Sequence, residues 1–175
     1  MSLTDNNGLT LQQFLEKYKA KNYPKPYLTA DCLILSEKDN KLYILLIKRK
    51  NHPFIQQWAI PGGFAQENEE LSQTAKRELQ EETSLSANVS LLNIYSAANR
   101  DPRGWVVSAT YYGFVDKDKV CIHSEDDAAD VKWFEIQIID NKIYLINNKE
   151  RIEAEKLAFD HNVMIRDFLK KYHIL

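Results

Sequence analysis

The chain of 175 residues has a formal net charge of −2, from 23 lysines and arginines against 25 aspartates and glutamates, and 44% of its residues are hydrophobic. This length favours one domain, residues 1–175, with a buried core, and the composition excludes a disordered or fibrous protein. The balanced charge gives no electrostatic basis for binding nucleic acid or a membrane surface, and no apolar run approaches the ~20 residues that a membrane-spanning helix needs.

The N-terminal residues 1–23 are predicted to form a helical extension. Apolar residues recur at helical spacing from Leu11, which predicts a helix to about Lys19, and Thr10 with Gln13 fits a capping box at its start. The first residues lack the basic and apolar regions of a signal peptide, and two isolated cysteines are typical of free thiols in a reducing compartment. These features favour a cytoplasmic location.

The middle of the chain is rich in β-strand patterns. YLTADCLILS and KLYILLIKRK flank the polar turn EKDNK, which predicts a hairpin, and further strands are predicted in NVSLLNIYSAA, WVVSATYYGFV, KVCIHS and DVKWFEI. The run IIDNKIYLI indicates a late hairpin around Asp140 and Asn141, and from about Glu150 the pattern turns helical. This order of elements favours a mixed sheet packed between helices.

One predicted helix, from near Glu70 to about Thr83, carries clustered carboxylates. Glu78, Glu81 and Glu82 stand at positions i, i+3 and i+4, so they share one side of the helix. Acidic clusters usually belong to a solvated face, and like charges at this spacing destabilise a helix by about 0.2–0.5 kcal/mol per pair. A bound divalent cation reverses that effect, because Mg²⁺ prefers hard oxygen ligands.

The residues before the helix extend this pattern. Gly62 and Gly63 follow a proline and allow a tight loop, and Arg77 can reach back to Glu69 and fix that loop against the helix. The chain therefore places a glycine loop, an arginine–carboxylate pair and a carboxylate cluster within one short segment.

Residues 62–85 carry these groups at a recognisable spacing. From Gly63, five residues lead to a glutamate, seven more lead to Arg-Glu-Leu, and one residue then precedes Glu-Glu. This pattern resembles the Nudix box, and Leu85 fits its last apolar position. The departure is Ser84, where the family usually has a glycine that ends the helix with a positive φ.

The resemblance implies an α/β fold, the Nudix α/β/α sandwich with a mixed β-sheet between helices, from roughly residue 27 onward. It implies hydrolysis of a nucleoside diphosphate linked to another moiety, with Mg²⁺ or Mn²⁺ as the cofactor. It also assigns roles within the box. The implied metal ligands are Glu78, Glu82, Glu81 and the carbonyl group of Gly62; the implied catalytic residues are Glu81 and Glu82, with Arg77 and Glu69 as an orienting pair.

The flanking segments resemble the ADP-ribose pyrophosphatase branch of this family. KNHPFIQQWAIPGGF, NRDPRGWVVSATYYGFV and LAFDH are similar to that branch and to the related sensor domains of repressors of NAD-biosynthesis genes. The implied reaction converts ADP-ribose to AMP and ribose 5-phosphate. The segment 136–149 looks like an insertion relative to the sensor domains.

Substrate contacts are predicted beside the box. In RDPRG, Arg100 and Arg103 are expected to contact phosphate or ribose, since arginine suits bidentate phosphate binding; the alternative is a type I turn around Pro102 with no further role. Gly63 and Phe64 are also predicted to line the substrate site. For Phe64 and Trp58, adenine stacking and core packing are both open, with packing favoured.

Three further features carry weaker predictions. A loop carboxylate outside the box, Glu125, Asp126 or Asp127, could serve as base or metal ligand, or could belong to a solvated acidic turn. His161 is expected to be a packed, hydrogen-bonded residue at the start of the last helix, near a possible Asp160 cap. Trp105 stands where related proteins often have a polar or basic residue, which leaves the exact substrate open.

Two functional classes and two assemblies are compatible with this sequence. The repressors usually carry a winged helix after the sensor domain, and 16 residues after Phe159 are too few for one, since a small domain needs about 55 residues or more. We therefore favour an enzyme that acts on a small molecule, without a nucleic acid or membrane partner, over a ligand sensor. A homodimer built through the N-terminal helix and a helix that covers its own sheet are equally compatible.

Overall fold

The computed structural model describes residues 3–18, 23–123, 128–148 and 150–175. Glu125, Asp126 and Asp127 lie outside these ranges. The helices and strands are α1 (Leu11–Lys17), β1 (Tyr27–Lys38), β2 (Lys41–Arg49), β3 (Trp58–Ala59), β4 (Gly62–Phe64), α2 (Leu71–Thr83), β5 (Ser90–Tyr95), β6 (Val106–Phe114), β7 (Ala128–Ile139), β8 (Lys142–Asn147), β9 (Glu150–Glu153), a 3₁₀ turn (Ala154–Lys156) and α3 (His161–Lys171).

The strands form one mixed sheet in the order β5-β6-β1-β2-β7-β8-β9, with β3 paired to β2 and β4 paired to β1. β1 and β6 run parallel, and the neighbouring pairs are antiparallel. A long parallel pair needs cover on both faces, and the helices supply it.

Alternate residues of β1 pack against different helices. Cys32 and Ile34 belong to an apolar cluster with Leu79 of α2, whereas Leu33 belongs to a second cluster with Phe168 of α3. The side chains of these five residues are buried, and each fully buried large apolar side chain contributes about 1.5–3 kcal/mol. The predicted α/β fold, with helices on both faces of a mixed sheet, is confirmed.

β1 also divides its antiparallel partners along its length. Its end, from Leu35 to Lys38, pairs with β2, while its beginning pairs with β4, where Asp31 faces Gly62 and Ala30 faces Gly63. The segment that carries the two glycines is therefore a strand fixed to the most buried strand of the sheet.

Both predicted hairpins are present. Asp39 and Asn40 between β1 and β2, and Asp140 and Asn141 between β7 and β8, all have positive φ angles near 50–60°. Consecutive residues of this kind form the tight turns whose twist matches antiparallel strands, and Asn and Asp tolerate this backbone better than most residues.

Two predicted elements are wrong. In KVCIHS, Val120 and Ile122 form no strand; they pack in an irregular segment over the α2 side of the core, and the amide of His123 donates to the carbonyl of Thr83. The helix predicted from Glu150 begins only at His161, because residues 150–153 pair with β8 as an edge strand. Their mixture of charged and apolar residues resembles a helix face but serves a strand.

The helix α1 begins as predicted, with the Thr10 hydroxyl accepting the amide of Gln13 and the Gln13 side chain accepting the amide of Thr10. It does not cover the sheet. None of the residues 11–17 is buried, and the exposed fractions of Leu11 and Leu15 are 71% and 59%. In the described part of the chain, no helix has the length and apolar character to cross a membrane.

The end of α2 confirms the expectation for Ser84. This residue lies in the left-handed region with φ 59° and ψ 15°, and its amide donates to the carbonyl of Gln80. A residue with a Cβ pays a steric cost there that glycine does not pay.

We expect Ser84→Gly to raise the free energy of unfolding by about 0.5–1 kcal/mol, because relief of the left-handed strain of ~1–2 kcal/mol exceeds the extra entropy of glycine in the unfolded chain. Urea denaturation measures this difference. Ser84→Ala is the matched control, since it removes the hydroxyl and keeps the Cβ. A glycine variant no more stable than the alanine variant would contradict the strain argument.

Candidate active site

The candidate site is built on the backbone of Gly62 and Gly63 in β4. A Cβ on Gly62 would lie 2.5 Å from the carbonyl oxygen of Ala30, which belongs to the backbone of β1. A Cβ on Gly63 would lie 2.5 Å from both carboxylate oxygens of Glu78. The two glycines therefore allow β4 to lie directly between β1 and the carboxylates of α2.

Glu82 lies beneath this strand rather than on a solvated face. Its side chain is buried, with a residue exposure of 6%, and its Oε2 accepts the amide of Gly62 at 2.9 Å. Burial raises the pKa of Glu82 to about 8, and the nearby charge of Glu78 also raises it. Glu78 and Glu82 thus reach the same two glycines from one side of the helix.

Arg77 connects the remaining carboxylates of the box. Its Nε donates to Glu69 at 2.9 Å, its Nη1 donates to Glu78 at 2.7 Å and to Glu81 at 2.9 Å, and its Nη2 donates to the carbonyl of Phe64 at 3.0 Å. The predicted contact between Arg77 and Glu69 is present. One guanidinium therefore fixes the loop before α2 against the helix and the glycine strand.

The environments of these carboxylates differ. The hydrogen bonds from Arg77 hold the pKa of Glu69 at about 2, so Glu69 stays ionised as an anchor. Burial raises the pKa of Glu78 despite its bond to Arg77, while Glu81 is partly exposed. Burial therefore disfavours the ionised forms of Glu78 and Glu82, and the hydrogen bonds that these two carboxylates accept do not fully offset that cost.

These groups fit a divalent cation by their chemistry. The buried carboxylate of Glu82, the partly buried carboxylate of Glu78 and the carbonyl group of the adjoining Gly62 are hard oxygen donors, and a cation would favour the ionised forms that burial now opposes. In the described ranges, no three His, Cys, Asp or Glu side chains are gathered so that they alone could hold an ion. The backbone carbonyl and water or substrate oxygens would complete such a shell.

A second buried cluster lies on the other side of the glycine strand. Asp31 is 7% exposed and accepts a hydrogen bond from the hydroxyl of Ser108; burial raises the pKa of Asp31 to about 6. The Nδ1 of His161 accepts the amide of Ile60 at 2.9 Å, which leaves the hydrogen on Nε2, 3.7 Å from Asp31. Burial lowers the pKa of His161 to about 3, so this contact is made by a neutral ring.

His161 is therefore the packed, hydrogen-bonded residue that its position suggested. Asp160 is not a side-chain cap, however. It occupies the N-cap position of α3 without a capping bond, because its carboxylate accepts Nε and Nη2 of Arg100 at 2.9 and 2.6 Å.

The segment RDPRG forms a turn, with the amide of Gly104 directed to the carbonyl of Asp101 at 3.4 Å. Its two arginines differ. The Arg100 side chain is 4% exposed and bound to Asp160, whereas the Arg103 side chain is 38% exposed and bound to the buried Asp101 through its backbone amide, Nε and Nη2. This geometry favours Arg103 over Arg100 as a substrate contact.

A groove and a smaller cavity lie next to each other at the glycine strand. A groove of about 490 Å³ is lined by Gly62, Gly63, Glu78, Glu82 and Arg103, among others. A smaller cavity of about 40 Å³ shares the two glycines and Arg103 and is lined further by Asp31, Arg100 and His161. Predicted box residues and Arg103 therefore meet at the groove, whereas Arg100 lines only the smaller cavity.

The aromatic residues near the groove have separate environments. Trp58 is 6% exposed and packs in the core against Phe134, which agrees with the packing interpretation. Phe64 is 39% exposed, lines the groove and lies under the guanidinium of Arg103 at 4.6 Å. Trp105 is 55% exposed.

The sequence interpretation missed Arg49, Asp31 and Phe159. Arg49 lines both the groove and the cavity, and Phe159 lines the cavity. A signal was available for Asp31, because a lone carboxylate inside the apolar run TADCLIL must find a buried partner. Nothing local distinguished Arg49 from the neighbouring lysines at the end of β2.

Comparisons with known proteins identify the family of this chain and several relatives. A family model described as the NUDIX domain matches residues 25–155. An ADP-ribose pyrophosphatase from Methanocaldococcus jannaschii is 40% identical over 157 residues, covering 89% of this chain and 79% of that protein.

Two further similarities point to ligand-responsive proteins. The ADPR responsive transcriptional repressor NtrR from Acinetobacter baylyi is 38% identical over 107 residues, covering 59% of this chain and 43% of that protein. The NUDIX domain of Shewanella oneidensis NrtR, in a cocrystal structure with ADP ribose, superposes with a TM-score of 0.72 at 28% identity and covers 94% of this chain and 99% of that chain.

The two glycines predict contrasting alanine variants. Gly62→Ala forces a Cβ against the backbone of Ala30, so we expect a loss of about 2 kcal/mol or more in the free energy of unfolding, as for other overpacked sites. Gly63→Ala meets only the movable end of Glu78, so we expect a loss below about 1 kcal/mol and weaker binding of Mn²⁺. Urea denaturation and Mn²⁺ titration followed by electron paramagnetic resonance measure the two effects.

The pair of variants is its own control. Equal stability losses would contradict the placement of β4 against β1. Unchanged Mn²⁺ affinity in Gly63→Ala would contradict a role for Glu78 beside that glycine.

Proposed function

Because the chain belongs to the Nudix family, we propose that this hydrolase cleaves the diphosphate of ADP-ribose, giving AMP and ribose 5-phosphate, with Mg²⁺ or Mn²⁺ as cofactor. The observation that carries the proposal is the meeting of two carboxylates of α2, the buried Glu82 and the partly buried Glu78, with Arg103 at one groove. Carboxylates suit a cation and arginine suits a phosphate, so the groove accommodates both charges of a metal–diphosphate.

The reaction requires that charge be neutralised on the diphosphate and that a water molecule be oriented for attack. When bound, a divalent cation lowers the pKa of a water and withdraws charge from phosphate oxygens. Glu78, Glu82 and the Gly62 carbonyl would hold the cation, and Arg77 with Glu69 fixes the helix and strand that carry them. Glu81, which is partly exposed, or one of Glu125, Asp126 and Asp127 would orient or deprotonate the water.

The assignment of ADP-ribose as the substrate rests on the similarity to known proteins and on the position of Arg103. The relative from M. jannaschii is an ADP-ribose pyrophosphatase, and the NUDIX domain of NrtR was crystallised with ADP ribose. Arg103 lies at the groove on a turn fixed by Asp101, which suits a contact to the diphosphate or to the distal ribose phosphate. Gly63 and Phe64 would line the same substrate.

The alternative is a domain that senses ADP-ribose without cleaving it. The similarity to NtrR and NrtR favours it, and neither cleavage nor sensing follows from the fold. The complete set of box carboxylates favours cleavage, because a sensor does not need an activated water. Release of AMP separates the two functions directly.

We also propose that the protein is a cytoplasmic homodimer. The free cysteines, Cys32 and Cys121, fit a reducing compartment. On α1, Leu11, Phe14 and Leu15 are between 41% and 71% exposed and share a helix face, and Tyr18, directly after the helix, is 59% exposed; such an apolar surface is costly to leave in water. A second copy of the chain would bury this face, as the N-terminal segments of the resembling pyrophosphatases suggest.

The function is tested with Glu82→Gln. We expect the wild-type protein to release AMP from ADP-ribose only with Mg²⁺ or Mn²⁺, and the variant to lose about 100-fold or more in kcat, because it removes a charge that opposes the cation's own. Chromatographic measurement of AMP gives the rates. Glu67→Gln removes the same charge from an exposed position of the neighbouring loop and is expected to keep wild-type activity.

The free energy of unfolding at several pH values checks the fold of the Glu82→Gln variant. The pKa of Glu82 is raised in the folded state, so its contribution to stability is fully present below about pH 4.5 and is lost as pH rises through about 8. In EDTA, the wild-type protein should therefore lose stability over this interval more than the variant does. An active Glu82→Gln protein contradicts the role of Glu82 as a cation ligand, and a wild-type protein that binds ADP-ribose without releasing AMP contradicts the proposed hydrolysis.

The assembly is tested with Leu11→Ser combined with Leu15→Ser. We expect light scattering to give a dimer for the wild-type protein, about twice the chain mass of 20.4 kDa, and a monomer for the double variant. Gln12→Ser is the control on the same helix. A wild-type protein that stays monomeric at all concentrations removes the dimer.

A further inference from the structure

We infer that Phe159 is a positioning residue that holds Arg49 and Arg103 side by side at the substrate groove. This inference deepens the proposed function and rests on it for the identity of the substrate. It concerns the short segment LAFDH, whose Phe159 contacts groups from two distant parts of the chain, residues 49–54 and Arg103.

The backbone of Phe159 is unusual for a bulky residue. Its φ is +53°, in the left-handed region that residues with a Cβ rarely occupy. Such a conformation persists where the surroundings determine it, and here the neighbours are fixed on both sides. The amide of Ala158 donates to the carbonyl of Trp58 at 2.9 Å, and the ring of His161 accepts the amide of Ile60.

The result of this backbone is a ring shared by two cations. The guanidinium of Arg49, at the end of β2, lies 5.0 Å from the centre of the Phe159 ring, and that of Arg103, in the turn after β5, lies 5.2 Å from it. Two positive groups near one another repel, and the negative face of an aromatic ring offsets part of that repulsion. Phe54 packs edge-on against Phe159, with the two ring centres 4.8 Å apart.

Arg103 has two further restraints. Asp101 binds its Nε and Nη2, and the ring of Phe64 lies 4.6 Å from its guanidinium carbon. Its Nη1 has no hydrogen-bond partner among the residues that the structure describes. A restrained guanidinium with donors directed to a groove loses little freedom on binding an anion, which is the advantage of preorganisation.

Arg49 is also oriented before any ligand binds. Its Nε donates to the carbonyl of Pro53 at 2.8 Å, and it lines both the groove and the adjoining cavity. Arg49 and Arg103 therefore approach Gly62 and Gly63 from two separate segments, and Phe159 is the side chain that both contact. An anionic group with several oxygens, such as a diphosphate, matches such a pair.

The test compares Phe159→Leu, which keeps an apolar side chain but removes the ring, with Phe159→Tyr, which keeps the ring. Calorimetry in EDTA measures the binding of inorganic pyrophosphate, and kinetics with Mg²⁺ measure ADP-ribose hydrolysis. We expect Phe159→Leu to weaken pyrophosphate binding and to raise the KM for ADP-ribose by about tenfold each, with kcat changed less than about threefold. Phe159→Tyr should restore both values to within about threefold.

Phe168→Leu is the matched control, because it removes a buried phenylalanine ring from α3, and Phe168 lines neither the groove nor the cavity. It should leave pyrophosphate binding unchanged even if it lowers the melting temperature as much as Phe159→Leu does. Equal weakening in both leucine variants, or unchanged binding in Phe159→Leu, overturns the inference, as does a wild-type protein that does not bind pyrophosphate. Wild-type binding without hydrolysis of ADP-ribose contradicts only the proposed function.

Discussion

The close approach of β4 to β1 is the constraint on which the rest of the site depends. Gly62 and Gly63 have no side chains, so the strand lies against the backbone of Ala30 on one side and against Glu78 on the other. A single added carbon atom at either position would displace a main chain or a carboxylate. Burial of Glu82 under the same strand follows from this geometry, and the raised pKa of Glu82 follows from its burial.

The arginines near the groove are held in a different way from these carboxylates. Here positive groups are held in place by carboxylates and rings: Arg100 by Asp160, and Arg103 by Asp101 and two phenylalanines. Burial disfavours the ionised forms of Glu78 and Glu82, whereas Arg100 and Arg103 each have a carboxylate partner. A ligand that contains both a metal ion and a phosphate would complement both sides at once.

Much of this structure could be predicted from local sequence. The helix α2 has a clear period, both hairpins have Asp-Asn turns, and the box spacing points to the contact between Arg77 and Glu69. The sequence of the edge strand β9 predicts a helix, because its four residues do not reveal that they pair with β8. The cluster of Asp31, Ser108 and His161 joins β1, β6 and α3, so no local pattern could have assembled it.

The two faces of the sheet supply different parts of the candidate site, and this separation bears on how such proteins diversify. The carboxylates come from α2, on one face of the sheet, while Asp160 and His161 come from the start of α3, on the other face. The carboxylates that we propose to hold a cation and the side chains that we propose to recognise the substrate thus come from separate pieces of chain that meet at Gly62 and Gly63. If these proposals hold, substitutions in the turn 100–105 and the segment 157–161 would change which substrate binds while residues 62–85 stay the same.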